Sequence, residues 1–211
     1  MKNNYPLSCV DCGTFSCHTG EKFPKFCVSK NLQQEVLDQA VECYNDEENH
    51  KTMLAAAKVE FEHYCKYTRV EEIVSFAKEM GFHKIGIATC GGLLKEAGTF
   101  AKILRLHGFD VYGVCCKAGM VKKEDLGIDP ACNAVGENAC NPIFQAKQLN
   151  HVGTELNVLV GLCVGHDSLF YKYSDALVTT LITKDRVLGH NPAAALYTAG
   201  GYYKNKLDSI E

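Results

Sequence analysis

From residue 84 onward the apolar positions fall into short dense runs, separated by stretches in which they return at helical spacing. KIGIATC (84–90), DVYGVCC (110–116), NVLVGLC (157–163) and ALVTTLIT (176–183) are the runs. Near-continuous hydrophobicity over so few residues predicts strands covered on both faces. LLKEAGTFAKILRLHG (93–108) and PIFQAKQLN (142–150) are predicted helices, with a shorter one near 167–173 and a last one opening at Pro192 behind an Asn191 cap. Strand and helix alternating at this spacing imply right-handed βαβ units. The expected fold is a three-layer, Rossmann-like α/β domain with a mostly parallel sheet of four or five strands.

The chain before residue 84 is patterned differently. Residues 5–30 are short of aliphatic side chains and read as loops. Asn31 with Gln34 resembles a helix N-cap pair, and Leu32, Val36, Leu37, Ala40, Val41 and Tyr44 form an apolar stripe. A second helix is expected over 52–66 with Leu54, Ala57, Phe61, Tyr64 and Cys65 on its buried side. A third opens on a Thr68–Glu71 capping box and stops at Gly81. The predicted organisation is a cysteine-rich, metal-binding arm (1–30) and an α/β domain (31–211), in which 31–81 is a helical lead-in packed on the rest.

Composition narrows the function. The 211 residues are 46% hydrophobic and 22% charged with a net charge of -3, which describes a globular chain rather than a disordered one. No basic stripe is available for nucleic acid, and no apolar run approaches the roughly 18 residues of a membrane span. With no signal-peptide core at the start, the expected location is the cytoplasm. A reducing compartment does not maintain disulfides. The 12 cysteines therefore point to metal or thiol chemistry.

Four of them, Cys9, Cys12, Cys17 and Cys27, are spaced C-x2-C-x4-C-x9-C, and Gly13 follows the first pair. Two thiolates two residues apart can wrap one ion while the glycine relieves the turn. Four thiolates complete a tetrahedral zinc site or hold an iron–sulfur cluster, and both remain open. So little apolar surface surrounds them that metal would supply the ordering energy. His18 is read as a bystander.

A second set emerges once the strands are placed. Cys90, Cys115, Cys116 and Cys163 close the first three strands, so a parallel sheet puts them on one edge, where open α/β folds bind ligands. Cys115 and Cys116 should point to opposite faces, so one of the two is expected to join the site. Cys132 and Cys140 lie in the loop after the second strand and can fold over that edge. Cys90, Cys140 and Cys163 precede predicted helices, whose positive ends favour thiolate. His166 and Asp167 follow the third strand, His166 as fourth ligand or acid/base and Asp167 as its orienting partner. Lys184, Asp185 and Arg186 follow the fourth, as crevice residues or as a solvated turn, and His190 is a weaker candidate for the same edge. Cys43 and Cys65 lie on helical stripes and read as core. The crevice is expected to hold a second metal or an iron–sulfur cluster, or to work through thiolates.

The C-x2-C-G…C…C opening, Cys115-Cys116-Lys117, Cys140-Asn141-Pro142-Ile143, GLCVGHD (161–167) and KDRVLGHNP (184–192) together resemble an uncharacterised prokaryotic metal-binding protein family, a domain of unknown function. The resemblance runs over nearly the whole chain and implies metal binding at the N-terminal cysteines, without a reaction. Val28 stands where that family often has a proline, which leaves zinc and cluster both open.

The reading is a metal-binding protein with a closed four-cysteine site and a cysteine-rich crevice. That crevice would support redox or sulfur-transfer chemistry on a small or sulfur-containing molecule, with Cys140, Cys163 and His166 reactive. The alternative is a non-catalytic zinc-binding or sensing module with the N-terminal site alone. Nucleotide binding at Gly91-Gly92 is a third option, weakened because no acidic residue closes the second strand. Oligomeric state is not readable.

Overall fold

In the computed structural model, which describes residues 6–210, four parallel strands form one sheet in the order β2–β1–β3–β4. They are β1 (Lys84–Thr89), β2 (Asp110–Cys115), β3 (Leu156–Val160) and β4 (Leu177–Ile182). The helices are α1 (Ser16–Thr19), α2 (Gln34–Glu42), α3 (Glu47–His63), α4 (Arg69–Glu79), α5 (Leu94–Leu106), α6 (Pro142–Val152), α7 (His166–Tyr173), α8 (Ala193–Tyr197) and α9 (Lys204–Asp208). The chain divides into two compact units that meet between Ala56 and Ala57, inside α3. The sheet belongs wholly to the second unit.

Period-two alternation builds the three layers. Ile85 and Ile87 of β1, Val111 of β2 and Leu156, Val158 and Val160 of β3 pack with Ile73, Val74 and Ala77 of α4 and Phe100 and Leu104 of α5. Ala88, Val114 and Leu159 face the other way, onto Ala146 and Leu149 of α6 and Phe170 of α7. This is the Rossmann-like arrangement that the apolar runs predict.

A buried polar network crosses the second layer. Thr154 Oγ1 donates to Asn157 Oδ1 at 2.7 Å, and Asn157 Nδ2 donates to Ser174 Oγ at 2.8 Å. Gly86 makes room for it. A Cβ there would stand 2.0 Å from Asn157 Oδ1 and 3.0 Å from Leu149 Cδ1.

The lead-in departs from the expected packing. The capping box of α4 is present, with Thr68 N donating to Glu71 Oε2 at 2.8 Å, and Gly81 follows with φ +71°. In α3, however, Ala55 and Val59 are the buried residues, whereas Leu54, Ala57, Phe61, Tyr64 and Cys65 are exposed. Moving one position along a helix turns the side chain by about 100°, so neighbouring stripes face different ways. The smaller, β-branched or methyl side chains took the covered face. On α2 and the turn after it, Val36, Leu37, Val41 and Tyr44 are exposed as well. Cys43 and Cys65 are therefore exposed thiols, not core. Asn31 does not cap α2, which begins after Gln33; its amide donates instead to the Lys25 and Cys27 carbonyls.

β1 and β3 are neighbours whose onward connections leave to opposite sides, so the switch point of the sheet lies between their carboxyl ends. Among the described residues no helix is long and apolar enough to cross a membrane.

Candidate thiolate site

At that switch point the structure brings three cysteines into one chain of contacts. Cys90 leaves β1 and caps a short 3-10 turn, Gly91–Leu93, that leads into α5. Cys116 follows β2, pinned by its N–H to the Thr89 carbonyl at 2.8 Å. Its own carbonyl accepts from Asn141 N at 2.8 Å, which seats Cys140 beside it. Asn141 then caps α6, accepting from Phe144 N at 2.9 Å, with Pro142 in the first turn. Cys140 Sγ lies 3.8 Å from Cys116 Sγ, and Gly91 N donates to Cys116 Sγ at 3.4 Å.

The sulfurs are electrostatically unequal. Partial burial opposes ionisation of Cys90, but the Gly92 N–H, the Lys184 ammonium and the Cys116 thiol outweigh it and hold its pKa below the ordinary value. Lys184 Nζ is 3.4 Å from Cys90 Sγ. Burial pushes Cys116 the other way, up to about 12; the Gly91 N–H resists, and the nearby Cys140 and Cys90 add to the rise. The two sulfurs are thus driven apart, Cys90 toward thiolate and Cys116 toward thiol.

Lys184 and Arg186 come from one closed loop after β4. Asp185 Oδ1 accepts from Val187 N at 2.9 Å and Leu188 N at 2.8 Å. Asp185 N donates to His190 Nδ1 at 3.1 Å, and His190 N returns a bond to the Asp185 carbonyl at 2.8 Å. His190 thus serves the loop rather than the thiols. Lys184 then reaches Cys90, and Arg186 Nη2 donates to Cys163 Sγ at 2.9 Å.

The remaining candidates divide. Cys163 sits beyond β3, its carbonyl accepting from His166 N and Asp167 N as α7 begins. His166 is half-buried at that start. Burial holds its pKa low, Asp167 opposes this, and the Lys117 and Arg186 charges reinforce it, so the imidazole is neutral at pH 7. Asp167 Oδ1 accepts from Ser168 N at 2.8 Å, and the residue lines a cavity of about 80 Å³ with Tyr171, Thr180 and Thr183. Cys115 is half-buried against the same cluster as Cys90, Cys116 and Cys140, its sulfur 3.7 Å from where a Gly91 Cβ would stand. Cys132 is exposed on the 3-10 turn Pro130–Val135, held through its carbonyl by Lys123 Nζ. Beneath the cysteines, Gln145 Nε2 bridges the Thr89 and Val114 carbonyls at 3.1 and 2.7 Å. Its buried Oε1 has no partner among the described residues. Buried acceptors without a partner are rare in folded proteins.

In the arm, Cys9 opens a 3-10 turn, Cys17 lies on α1, and Cys27 precedes the turn Val28–Lys30. Cys12 is the sulfur that favours ionisation. The Thr14 hydroxyl, followed by the Thr14 and Phe15 N–H groups, lowers its pKa. Among the described residues no three or more His, Cys, Asp or Glu side chains are placed to hold a metal ion. The arm cysteines and the crevice cysteines alike would have to rearrange to form a ligand set.

Two comparisons bear on the site. Residues 27–181 match the model of a family described as "Protein of unknown function (DUF1847)". The chain is also similar to "Uncharacterized protein MJ0455" of Methanocaldococcus jannaschii. The two are 45% identical over 201 residues, covering 95% of this chain and 98% of that protein. The matched family range contains Cys90, Cys116, Cys140 and Cys163; Cys9, Cys12 and Cys17 precede it, and Lys184 and Arg186 follow it.

Proposed function

We propose that this chain, which belongs to the DUF1847 family of proteins of unknown function, works through thiolate chemistry at the carboxyl edge of its sheet. Cys90 is the attacking sulfur, and the reaction class is thiol redox or sulfur transfer. One observation carries the reading: Cys90 Sγ lies 3.4 Å from Lys184 Nζ at the end of a three-thiol chain. A thiolate is the reactive form of cysteine, and a neighbouring cation is the usual means of holding it at neutral pH.

The chemistry balances within the crevice. Cys90 thiolate attacks one sulfur of a substrate disulfide; the substrate S–S bond breaks and a thiolate leaves. While Cys90 is charged, its like charge helps to keep Cys116 protonated. That charge disappears in the mixed disulfide. Cys116 then attacks the Cys90 sulfur, forming a Cys90–Cys116 disulfide, and its proton passes to the second substrate thiolate as that leaves. A thiol reductant returns the pair to dithiol.

Alkylation of the reduced protein at neutral pH, followed by peptide mapping, tests this. Among the crevice cysteines Cys90 should label fastest and Cys116 last, with exposed Cys43 and Cys65 as internal references. Labelling of Cys90 no faster than of Cys43 would remove the proposal.

A second reading rests on the arm. The bonds that favour Cys12 thiolate, directly after C-x2-C-G, suit a metal ligand. Zinc or an iron–sulfur cluster bound there would order the segment on binding, because an unformed site couples metal affinity to folding. Anaerobically purified protein should then hold metal that Cys12→Ser loses. Metal and acid-labile sulfide retained in Cys12→Ser but lost in Cys90→Ser would instead put a cluster in the crevice.

A further inference from the structure

We infer that Cys163, paired with Arg186 at the outer side of the crevice, is the first acceptor of a sulfane sulfur from an anionic donor and passes it to Cys90. The inference rests on the thiolate reading of Cys90 and adds a substrate class and a second station.

Cys163 and Cys90 form two thiol–cation pairs supplied by one loop. Arg186 Nη2 donates to Cys163 Sγ at 2.9 Å in an exposed contact, and Lys184 Nζ reaches Cys90 Sγ at 3.4 Å in a part-buried one. The two cations are two residues apart on a turn tied by Asp185 and His190. The sulfurs flank the switch point: Thr89 of β1 is in register with Val160 of β3, Cys90 follows the first and Cys163 the second. The Arg186 charge acts on Cys163, Cys90 and Cys140 together, so all three lie within the field of one guanidinium. Cys163 stands outside the Cys140–Cys116–Cys90 thiol chain, half-buried like Cys90 but with an exposed guanidinium at its sulfur.

Entry at the exposed Arg186 contact and hand-on at the part-buried Lys184 contact is the order of a relay. Sulfane sulfur is a group that one thiolate accepts and another can take without net oxidation. The persulfide formed is an anion at neutral pH, so each station needs its own positive charge, and each has one. Opposing carboxylates are otherwise engaged: Asp185 with the Val187 and Leu188 N–H groups, Asp167 with Ser168 N. The Lys184 and Arg186 cations, rather than these carboxylates, stand at the two sulfurs, and they favour a negatively charged donor there.

In the first step Cys163 thiolate attacks the outer sulfur of the donor. The donor S–S bond breaks, a Cys163–S–S⁻ persulfide forms, and the donor leaves as a thiolate or as sulfite. In the second step Cys90 thiolate attacks the outer sulfur of that persulfide. A Cys90 persulfide forms and Cys163 leaves as thiolate. Neither step consumes an oxidant or a reductant.

Single-turnover loading of the full-length reduced protein, with thiosulfate and separately with glutathione persulfide, tests the relay. Anaerobic alkylation and peptide mass spectrometry locate the added sulfur. Cys90→Ser should accumulate persulfide on Cys163. Cys163→Ser, and independently Cys163→Ala, should load Cys90 at least tenfold more slowly than the parent, while Cys90 in each keeps its rapid alkylation. The faster donor identifies its class, inorganic thiosulfate or organic persulfide. Wild-type loading of Cys90 without Cys163 would overturn the relay and leave the Cys90 reading intact, as would failure of both donors to load either sulfur. Slow alkylation of Cys90 in the parent protein would instead remove the reading beneath it.

Discussion

A Gly161→Ala protein is expected to unfold with a loss of about 3 kcal/mol or more, and to lose the fast labelling of Cys90 with it. Two costs combine. Gly161 has φ +73°, a conformation costing a non-glycine residue roughly 1–3 kcal/mol. A Cβ there would also stand 1.9 Å from Leu93 Cδ1, inside the packed core. Overpacking of that kind costs typically about 1–3 kcal/mol. The contact joins the two walls of the crevice, because Leu93 follows Cys90 out of β1 and Gly161 leads to Cys163 out of β3. Gly161 N is meanwhile committed to the Ile182 carbonyl at 2.8 Å, so the turn cannot yield easily toward β4. Urea unfolding of Gly161→Ala, Leu93→Ala and the double variant separates the costs. Leu93→Ala leaves a cavity worth about 2–5 kcal/mol alone. The double variant should nevertheless lose at least about 1 kcal/mol less than the two single losses combined, because the cavity accepts the methyl. Additive losses would mean that the clash is relieved elsewhere.

The same residues show what a linear reading can and cannot reach. Strands β1 to β4 were legible because burial on both faces leaves dense apolar runs, and parallel order then puts Cys90, Cys116 and Cys163 on one edge. Cys140 was legible through Asn141-Pro142, whose cap geometry fixes the residue before it. Lys184 and Arg186 were placed at that edge, but crevice residues and a solvated turn read alike. Charged residues after a strand are ordinarily solvated, and nothing local shows a lysine turning back to a sulfur 94 positions away. A cation at i and another at i+2 on a loop closed by Asp185 and His190 is the signal that was present. The lead-in misled for a different reason. Helical periodicity finds an apolar stripe but not which stripe a neighbour covers, so Ala55 and Val59 of α3 were passed over for bulkier Leu54 and Phe61. In the arm, C-x2-C-G spacing makes a metal knuckle readable, while among the described residues no three His, Cys, Asp or Glu side chains are placed to share an ion.

Lys184→Met is expected to return the Cys90 pKa toward its ordinary 9.0 and to slow Cys90 alkylation at neutral pH several-fold. Each pKa unit recovered removes about tenfold of the thiolate. Methionine keeps an apolar stem where the lysine chain passes Gly161, its Cδ 3.6 Å from the place of a Gly161 Cβ, so the loss is chiefly of charge. Lys184→Arg retains the charge and should retain most of the rate. The pH dependence of stability has a definite sign. A thiol whose pKa is lowered by folding contributes stability that is full above its unfolded pKa and is lost as pH falls through the folded one. The deficit of Lys184→Met relative to the parent should therefore be largest in mild alkali and shrink on acidification. Cys116 contributes the opposite slope. Its pKa rises from 9.0 to about 12 on folding, so its contribution is full below 9.0 and is lost as pH climbs toward 12. Urea midpoints measured from pH 6 to pH 11 for the parent, Lys184→Met and Cys116→Ala resolve the two slopes. A Lys184→Met deficit that does not change with pH would mean that the lysine supports the fold through its stem. An unchanged Cys90 labelling rate in that variant would assign the thiolate to Gly92 N–H and Cys116 alone, the two remaining groups that stabilise it.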